Sequence, residues 1–465
     1  ALKIGVIDAF RVRMADNSVL VASKAVRSSP GSTNLSNVEY TPCNLCKNVP
    51  PFWQLNAKKV KLDQVKDRVT YEDATLDIKG VPVFYTPYLS HPTPDAEAES
   101  GFLPPQYGMN SNLGQYFRVP YYWRIDHDKE MTVTPWYTTQ GGPLLQGVYR
   151  QRLDEGEYRI EGSGTYPEGL DSVGNEVGGN EFRGHIFAKG YQNIGDFSRL
   201  GFDINRASDD TFLRRYALGD QRVLFSRLYA EIAENRNYAS AQGLAIQGLR
   251  ATDNRKTTPF VLPMIEGYYE SKPDENGIRY YLAGDTQALT RTIGVDQRRL
   301  SSTVGASLPY VTEGGHVLTT TVNVRQDIYR TENISPGNGL PTQDATNYRV
   351  IPQAALEWRY PLMDRFGNET MTIEPIVMTV MQPRGSNPWN ISNEDSRLLE
   401  LTDTNIFSLN RMPGLDEIDS GPRVAYGART QYLFSGGTSL DALIGQSYNP
   451  SSTTPFPNST DPQED

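Results

Sequence analysis

Cysteine is almost missing from this chain. Cys43 and Cys46 are the only two in 465 residues, so no dense disulfide framework holds the fold together. Histidine is nearly as scarce: His91, His127, His185 and His316 are scattered, and none is spaced to serve a serine or an aspartate. That pattern points away from an enzyme, a metal centre and any cofactor site. Long hydrophobic runs are absent too. No stretch approaches the ~18 apolar residues of a membrane helix, which excludes a helical membrane protein. Positive charge is in deficit, with 45 Lys and Arg against 55 Asp and Glu and a net charge of −10, which argues against nucleic acid as a partner. Apolar residues are also few, 38% by the AVILMFWYC count, against roughly 45–50% for a similar class that also counts glycine. A long chain this polar, with 40 Gly and 27 Tyr, is an unusual soluble enzyme.

What the chain does have is alternation. From about residue 110 onward, ten-residue stretches change character at every residue and are separated by Gly, Pro, Asn and Asp. In Phe197–Asn205, Leu200, Phe202 and Ile204 fall on one face while Arg199, Gly201 and Asp203 fall on the other, because strand side chains change sides at each step. Tyr158, Ile160 and Tyr166 oppose Arg159, Glu161 and Ser163 in the same way, as do Phe182, Ile186 and Ala188 against Arg183, His185 and Lys189. Such a sheet is wet on one side and needs a cover on the other. Lipid is the simplest cover, as in a membrane β-barrel whose lumen is polar and whose apolar band is one residue deep.

About sixteen candidate strands follow residue 113, among them 144–153, 197–205, 223–234, 279–291, 370–381 and 438–448, with one more between 294 and 308. Short connections such as Asp154–Gly156 alternate with long ones, notably 329–349 and 382–421, as expected of short periplasmic turns and long outer loops. The polar segment 384–420 reads as an extracellular loop. Tyr121, Tyr122, Trp123, Trp136 and Tyr137 suit an interfacial girdle, although single aromatics are also ordinary sheet packing.

Residues 1–100 have a different rhythm. Ser18–Val26, Trp53–Leu62 and Ala74–Lys79 each alternate, so short strands are expected to form a sandwich or jelly-roll. The proline-rich Tyr85–Pro94 cannot hold a central strand and reads as a linker. The acidic run Asp95–Glu99 reads as solvated linker rather than catalytic carboxylates. The expectation is thus all-β: a partial sandwich or jelly-roll over 1–100, a linker over 101–112, and a large antiparallel transmembrane barrel over 113–465. The chain opens directly in strand-like pattern without an export signal, and its tail, Ser451–Asp465, is loop-like where a closed barrel needs a last strand. A piece cut at both ends is therefore expected. Two rivals stand beside a transport barrel. A passive diffusion porin needs neither the N-terminal domain nor paired cysteines; a soluble β-rich carbohydrate-binding protein needs apolar inward faces along most strands.

Three stretches together resemble the outer-membrane lipopolysaccharide-assembly family, LptD. The first is Val38–Cys46 followed by Trp53-Gln-Leu; the second is Gly80–Tyr88 with Ser100-Gly-Phe-Leu-Pro104. The third, and most specific, is Asn393, Glu394, Asp395 and Ser396 through Asn405, Phe407, Arg411 and Gly414, then Tyr426-Gly427. The resemblance runs over nearly the whole chain. It implies an outer-membrane translocon that delivers lipopolysaccharide to the outer leaflet, with a lipoprotein plug of the LptE type and a periplasmic bridge of the LptA type docking by strand addition. It also implies surrounding outer-membrane lipid, a periplasmic N-terminal domain, and more strands than are counted here.

Two residue sets acquire a meaning from that resemblance. Pro120 and Pro135, each inside a candidate strand, match prolines that the family uses to weaken a lateral gate between first and last strands; from the residues alone they mark bulges. Cys43 and Cys46 are too few for zinc and lack the setting of a redox motif, leaving a disulfide as the strongest reading in an exported protein. They either pair locally or, as the family's pattern implies, one awaits a partner beyond residue 465. The acidic residues before Ser100 depart from the family, which leaves a phosphate-guiding role for that segment unsupported. A loop-locking or partner-contacting task is expected for residues 393–396.

Overall fold

A computed structural model describes residues 4–13, 19–41, 51, 53–93, 98–166, 168–170, 176–336, 340–384, 387–396 and 401–450. Cys43 and Cys46 lie outside the described residues. Among the described residues strands dominate and helix is confined to one turn, Phe212–Arg215. The chain divides into two compact units, residues 1–104 with 121–130, and 105–120 with 131–465.

The first unit is built on one antiparallel sheet of six strands in chain order: β1 (Gly5–Arg13), β2 (Val19–Ser29), β3 (Ser32–Thr41), β4 (Trp53–Asp63), β5 (Arg68–Ile78) and β6 (Val81–Pro92). Its apolar spacing is three rather than two. Ala22 and Ala25, Leu35 and Val38, and Ala57 and Val60 all enter one buried cluster with Ala74. The pairing registers explain this. Ladder partners are skipped at Ala9, Ser23, Asn37, Lys58, Asp73 and Pro87, one residue per strand along a line that crosses the whole sheet. On alternate strands the skipped residue is left-handed, with φ of 56° at Ala9, 46° at Asn37 and 51° at Asp73. Taking one residue out of each pleat returns the next side chain to the same side, so the sheet creases and both halves present apolar residues to one interior. Polar side chains tie the crease. Asn37 Nδ2 donates to Ser23 Oγ at 3.2 Å, Lys58 Nζ meets Asp73 Oδ2 at 3.2 Å, and the Tyr85 hydroxyl donates to Asp73 Oδ1 at 2.7 Å.

β6 corrects the linker expected over 85–94. Pro82, Pro87 and Pro92 lie within it, and they are tolerated because, among the described residues, β6 pairs only with β5 and so forms an edge. The expected linker at 101–112 likewise carries two short strands, β7 (Gly101–Phe102) and β8 (Gln106–Asn110).

In the second unit, β8 forms a hairpin with β9 (Gly114–Arg118). The candidate strand that contains Pro120 is broken at Val119-Pro120, after which β10 (Tyr121–Arg124) begins in the first unit and pairs with β7. The ladder then continues through β11 (Lys129–Thr138), β12 (Leu144–Leu153) and β13 (Gly156–Thr165). A separate two-stranded sheet follows, β14 (Glu168–Leu170) with β15 (Glu176–Asn180). The main ladder resumes with β16 (Arg183–Ile194), β17 (Ser198–Ala207), β18 (Val223–Glu234), β19 (Asn237–Gly248), β20 (Phe260–Glu270), β21 (Arg279–Thr290) and β22 (Asp296–Val311). It ends with β23 (Val317–Ile334), β24 (Gln343–Arg359), the short β25 (Leu362–Phe366), β26 (Glu369–Met381), β27 (Arg423–Leu433) and β28 (Ser439–Tyr448). Among the described residues the pairings of this ladder are antiparallel, and it does not close into a complete barrel.

The two faces of the ladder differ in kind. Asp285, Ser301, Asp327 and Arg349 are paired in one row across β21–β24 and lie on the inner face. One residue along, Leu300, Ile328 and Tyr348 form a row on the opposite face and are exposed, as are Leu282, Val304 and Val350.

The crease makes a pH-dependent prediction. Tyr85, and then Lys58, hold the Asp73 carboxyl below the ordinary carboxylate range. A carboxyl depressed on folding adds stability above its unfolded pKa and loses it as pH falls through the folded value. Tyr85→Phe is therefore expected to lower the unfolding temperature at about pH 7, with the gap to wild type closing as the pH falls below the ordinary carboxylate range and Asp73 is protonated in the folded chain. A gap independent of pH contradicts this.

Candidate inward-folded segment and ion network

The polar segment 384–420, read as an extracellular loop, lies between β26 and β27, and its described residues pack against the inner face. Ile406, Met412 and Ile418 are buried, and Phe407 and Leu409 pack on Ala355, Met378 and Val380 of β24 and β26. The polar composition that suggested an extracellular loop is satisfied by ions from the sheet.

Arg299 is the centre. Its side chain is 2% exposed, and an unpaired charge so placed costs several kcal/mol. Its Nε donates to Asp285 Oδ1 at 2.8 Å, and its Nη1 to Asp395 Oδ2 at 2.6 Å and Asp416 Oδ1 at 2.7 Å. Asp285 belongs to the neighbouring strand; Asp395 and Asp416 come from the segment. Asp416 also accepts from Gln297 Nε2 at 3.1 Å and from the backbone N–H of Glu394 at 2.9 Å. Beside this centre, Arg291 holds Glu394 through two contacts of 3.2 and 2.6 Å.

A second group grips the backbone. Asp327, buried on β23, accepts from Arg325 Nε and Arg349 Nε, each at 2.9 Å, which fixes both guanidinium groups. Arg325, Arg349 (2.8 Å) and the Tyr329 hydroxyl (2.9 Å) then all donate to the Leu415 carbonyl. Arg349 also reaches the Asp416 carbonyl at 2.7 Å. Near β27, Arg411 donates to both oxygens of Asp419, at 2.5 and 2.9 Å, and Arg423 Nη1 lies 3.0 Å from the same carboxylate.

The motif residues take positions inside this arrangement. Asn393 Oδ1 accepts from the Ser396 N–H at 2.9 Å, and Ser396 Oγ accepts from the Glu417 N–H at 3.0 Å. Asp395 Oδ1 accepts from the N–H groups of Leu415 and Asp416, each at 3.0 Å. Asn405 Oδ1 accepts from the Thr402 N–H at 2.8 Å. Gly414 has φ of +80°, and a Cβ there would stand 2.5 Å from the Asp395 carbonyl, so only glycine fits the turn. Asp416, Asp419, Arg299, Arg325, Asp327, Arg349 and Arg423 escaped the sequence reading. The available signal was arginine recurring on the wet face of successive strands.

The two prolines occupy different settings. Pro120 is buried between β9 and β10, whereas Pro135 is exposed within β11. Trp136 pairs with Arg118, and beyond that pair the Val119 N–H reaches the Pro135 carbonyl at a long 3.4 Å. The ladder is thin at this point. The scattered histidines take local partners: His91 Nε2 lies 3.0 Å from the Tyr71 hydroxyl, and His185 Nδ1 lies 2.7 Å from Ser163 Oγ.

Comparison with known proteins identifies the relatives of this arrangement. Residues 181–465 match the family model described as LptD, LPS transport system D. The chain belongs to the LptD family. It is 26% identical over 446 residues to the LPS-assembly protein LptD of Methylococcus capsulatus, covering 92% of this chain and 41% of that protein. The LPS-assembly protein LptD of Nitrosococcus oceani is 27% identical over 456 residues, covering 91% of this chain and 57% of the relative. That of Vibrio cholerae is 26% identical, with coverages of 88% and 53%. The chain thus spans about half the length of these LptD relatives. The family match includes the whole inward-folded segment and its anchoring strands.

Removing the central cation tests the anchoring. Arg299→Met strands three carboxylates in a buried setting and is expected to cost about 3–5 kcal/mol. Limited trypsinolysis should then cut at Arg411 in the variant but not in wild type. Equal protection of both contradicts the network's role.

Proposed function

We propose that this chain is the working part of an outer-membrane translocon that delivers lipopolysaccharide from the periplasm to the outer leaflet. The observation that carries this reading is membership of the LptD family together with a ladder that is ionic on one face and hydrocarbon on the other. Lipopolysaccharide has acyl chains and a charged sugar head, so no single medium suits it. The creased apolar interior of the first unit would shelter the chains. The polar inner face of a closed barrel would pass the sugars, and the apolar face would lie in outer-membrane lipid.

The lipid part would leave sideways, through a seam beside the first strands. The interruption at Pro120 and the thin pairing at Pro135 support a gate there, because proline cannot donate to a ladder. A periplasmic bridge of the LptA type would add a strand to the β1 edge. β1 pairs only with β2 among the described residues and contains no proline, while the opposite edge, β6, contains three. A lipoprotein plug of the LptE type completes the assembly, and the first unit faces the periplasm. Cys43 and Cys46 would supply a disulfide that secures the N-terminal unit. A passive porin is the weaker reading, since the anchored segment 382–422 fills inner-face space that a diffusion pore leaves open.

The gate is tested by export kinetics. Pro120→Ala and Pro135→Ala should each restore ladder hydrogen bonding and slow the appearance of new lipopolysaccharide at the cell surface severalfold. Wild-type delivery in both variants contradicts the gate.

A further inference from the structure

The inner face of the second unit carries one row of charges that its own register leaves unbalanced. Arg150, Arg159, Lys189, Asp203 and Arg227 are paired directly, each with the next, across β12, β13, β16, β17 and β18. The ladder fixes which face they share. Asn193, Arg199 and Glu231 lie four residues away on β16, β17 and β18, and their row continues through Ser240 and Glu266 to Asp285. All four cations are exposed, and three of them stand on adjacent strands. Like charges directly opposite one another destabilise a sheet. Neighbouring rows avoid this by pairing Arg152 with Glu157 and Arg199 with Glu231.

Nearby carboxylates offset only part of the row. Glu161 lies 2.7 Å from Arg159 Nη2 but also accepts from Gln146 Nε2 at 3.1 Å. Asp203 accepts from Asn205 Nδ2 at 2.7 Å, and among the described residues Lys189 has no ion-pair partner. Farther along the ladder the situation is reversed. Arg299, Arg325 and Arg349 are buried and already neutralised by Asp285, Asp327, Asp395 and Asp416. An anionic group passing over this face therefore meets accessible cations on β12–β18, along a row that spans roughly 19 Å at ~4.8 Å per strand.

We infer that Arg150, Arg159, Lys189 and Arg227 form a binding track for the anionic groups, phosphate or carboxylate, of a sugar chain. The inference deepens the translocon reading and rests on it: a charged sugar head crossing the inner face would be held at β12–β18. β12 neighbours β11 in the ladder, so the track lies beside the proline-interrupted strands. Guanidinium and ammonium groups donate charge-assisted hydrogen bonds to oxyanions. Exposure keeps each contact weak, as passage requires.

The test measures, by calorimetric titration of the full-length protein, binding of deacylated lipopolysaccharide and of the same material after phosphate removal and carboxyl reduction. Wild type should bind the charged form about tenfold more tightly than the neutral one, with affinity falling as salt rises. Arg159→Gln combined with Lys189→Gln should weaken binding of the charged form by about tenfold and leave the neutral form unchanged. Arg159→Lys combined with Lys189→Arg, which keeps both charges, should bind as wild type. So should Arg298→Gln, which removes a 58% exposed cation from the opposite face. Equal binding of both forms by wild type, undiminished affinity in the double glutamine variant, or an equal loss in the charge-keeping variant overturns the track. A strain depleted of the protein that still delivers lipopolysaccharide at the normal rate overturns the translocon reading instead, since binding by the purified protein is measured without it.

Discussion

A strand that carries ions on one face and hydrocarbon side chains on the other needs two solvents. The middle of β22 shows that constraint: Gln297, Arg299 and Ser301 are buried among polar partners while Leu300 and Val304 stand exposed. Everything else in the second unit follows from satisfying both faces at once. Backbone groups are consumed by the ladder, the apolar face requires a lipid-like cover, and the inner face must find counter-charges or water.

The chain meets the last requirement by bringing its own polar filling. Segment 382–422 supplies Asp395 and Asp416 to Arg299, and its Leu415 carbonyl to Arg325, Arg349 and Tyr329. Buried ion pairs of this kind contribute little net stability over an apolar isostere, but breaking one is costly, so they specify position more than they add strength. A segment held by several such contacts has one seat on the sheet.

Much of this was legible in the sequence, and the failures are instructive. The alternation that located 144–153 and 223–234 returns as β12 and β18 with the same bounds, because period-two patterning is a direct image of a two-faced strand. The crease of the first unit was hidden, since nothing in Ala9 announces a left-handed backbone and the resulting period of three resembles neither strand nor helix. Pro87 and Pro92 were read as breaking the strand when they only forbid a second neighbour. The packing of the longest connection, read only as a polar extracellular loop, was hidden because composition reports the need for hydrogen bonds without saying whether water or a guanidinium meets it. Its motif residues were found through the family resemblance, whereas Arg299, Asp327 and Arg349 emerged only when register placed them side by side.

The two-solvent account is tested most directly at neighbouring positions of one strand. Leu282 and Ala283 are consecutive on β21 and fall on opposite faces. In bilayers containing brominated phospholipid, tryptophan fluorescence measured as the difference between each variant and its parent should be strongly quenched for Leu282→Trp and unaffected for Ala283→Trp. Equal quenching at both positions, or none at Leu282→Trp, contradicts the claim that hydrocarbon covers one face alone.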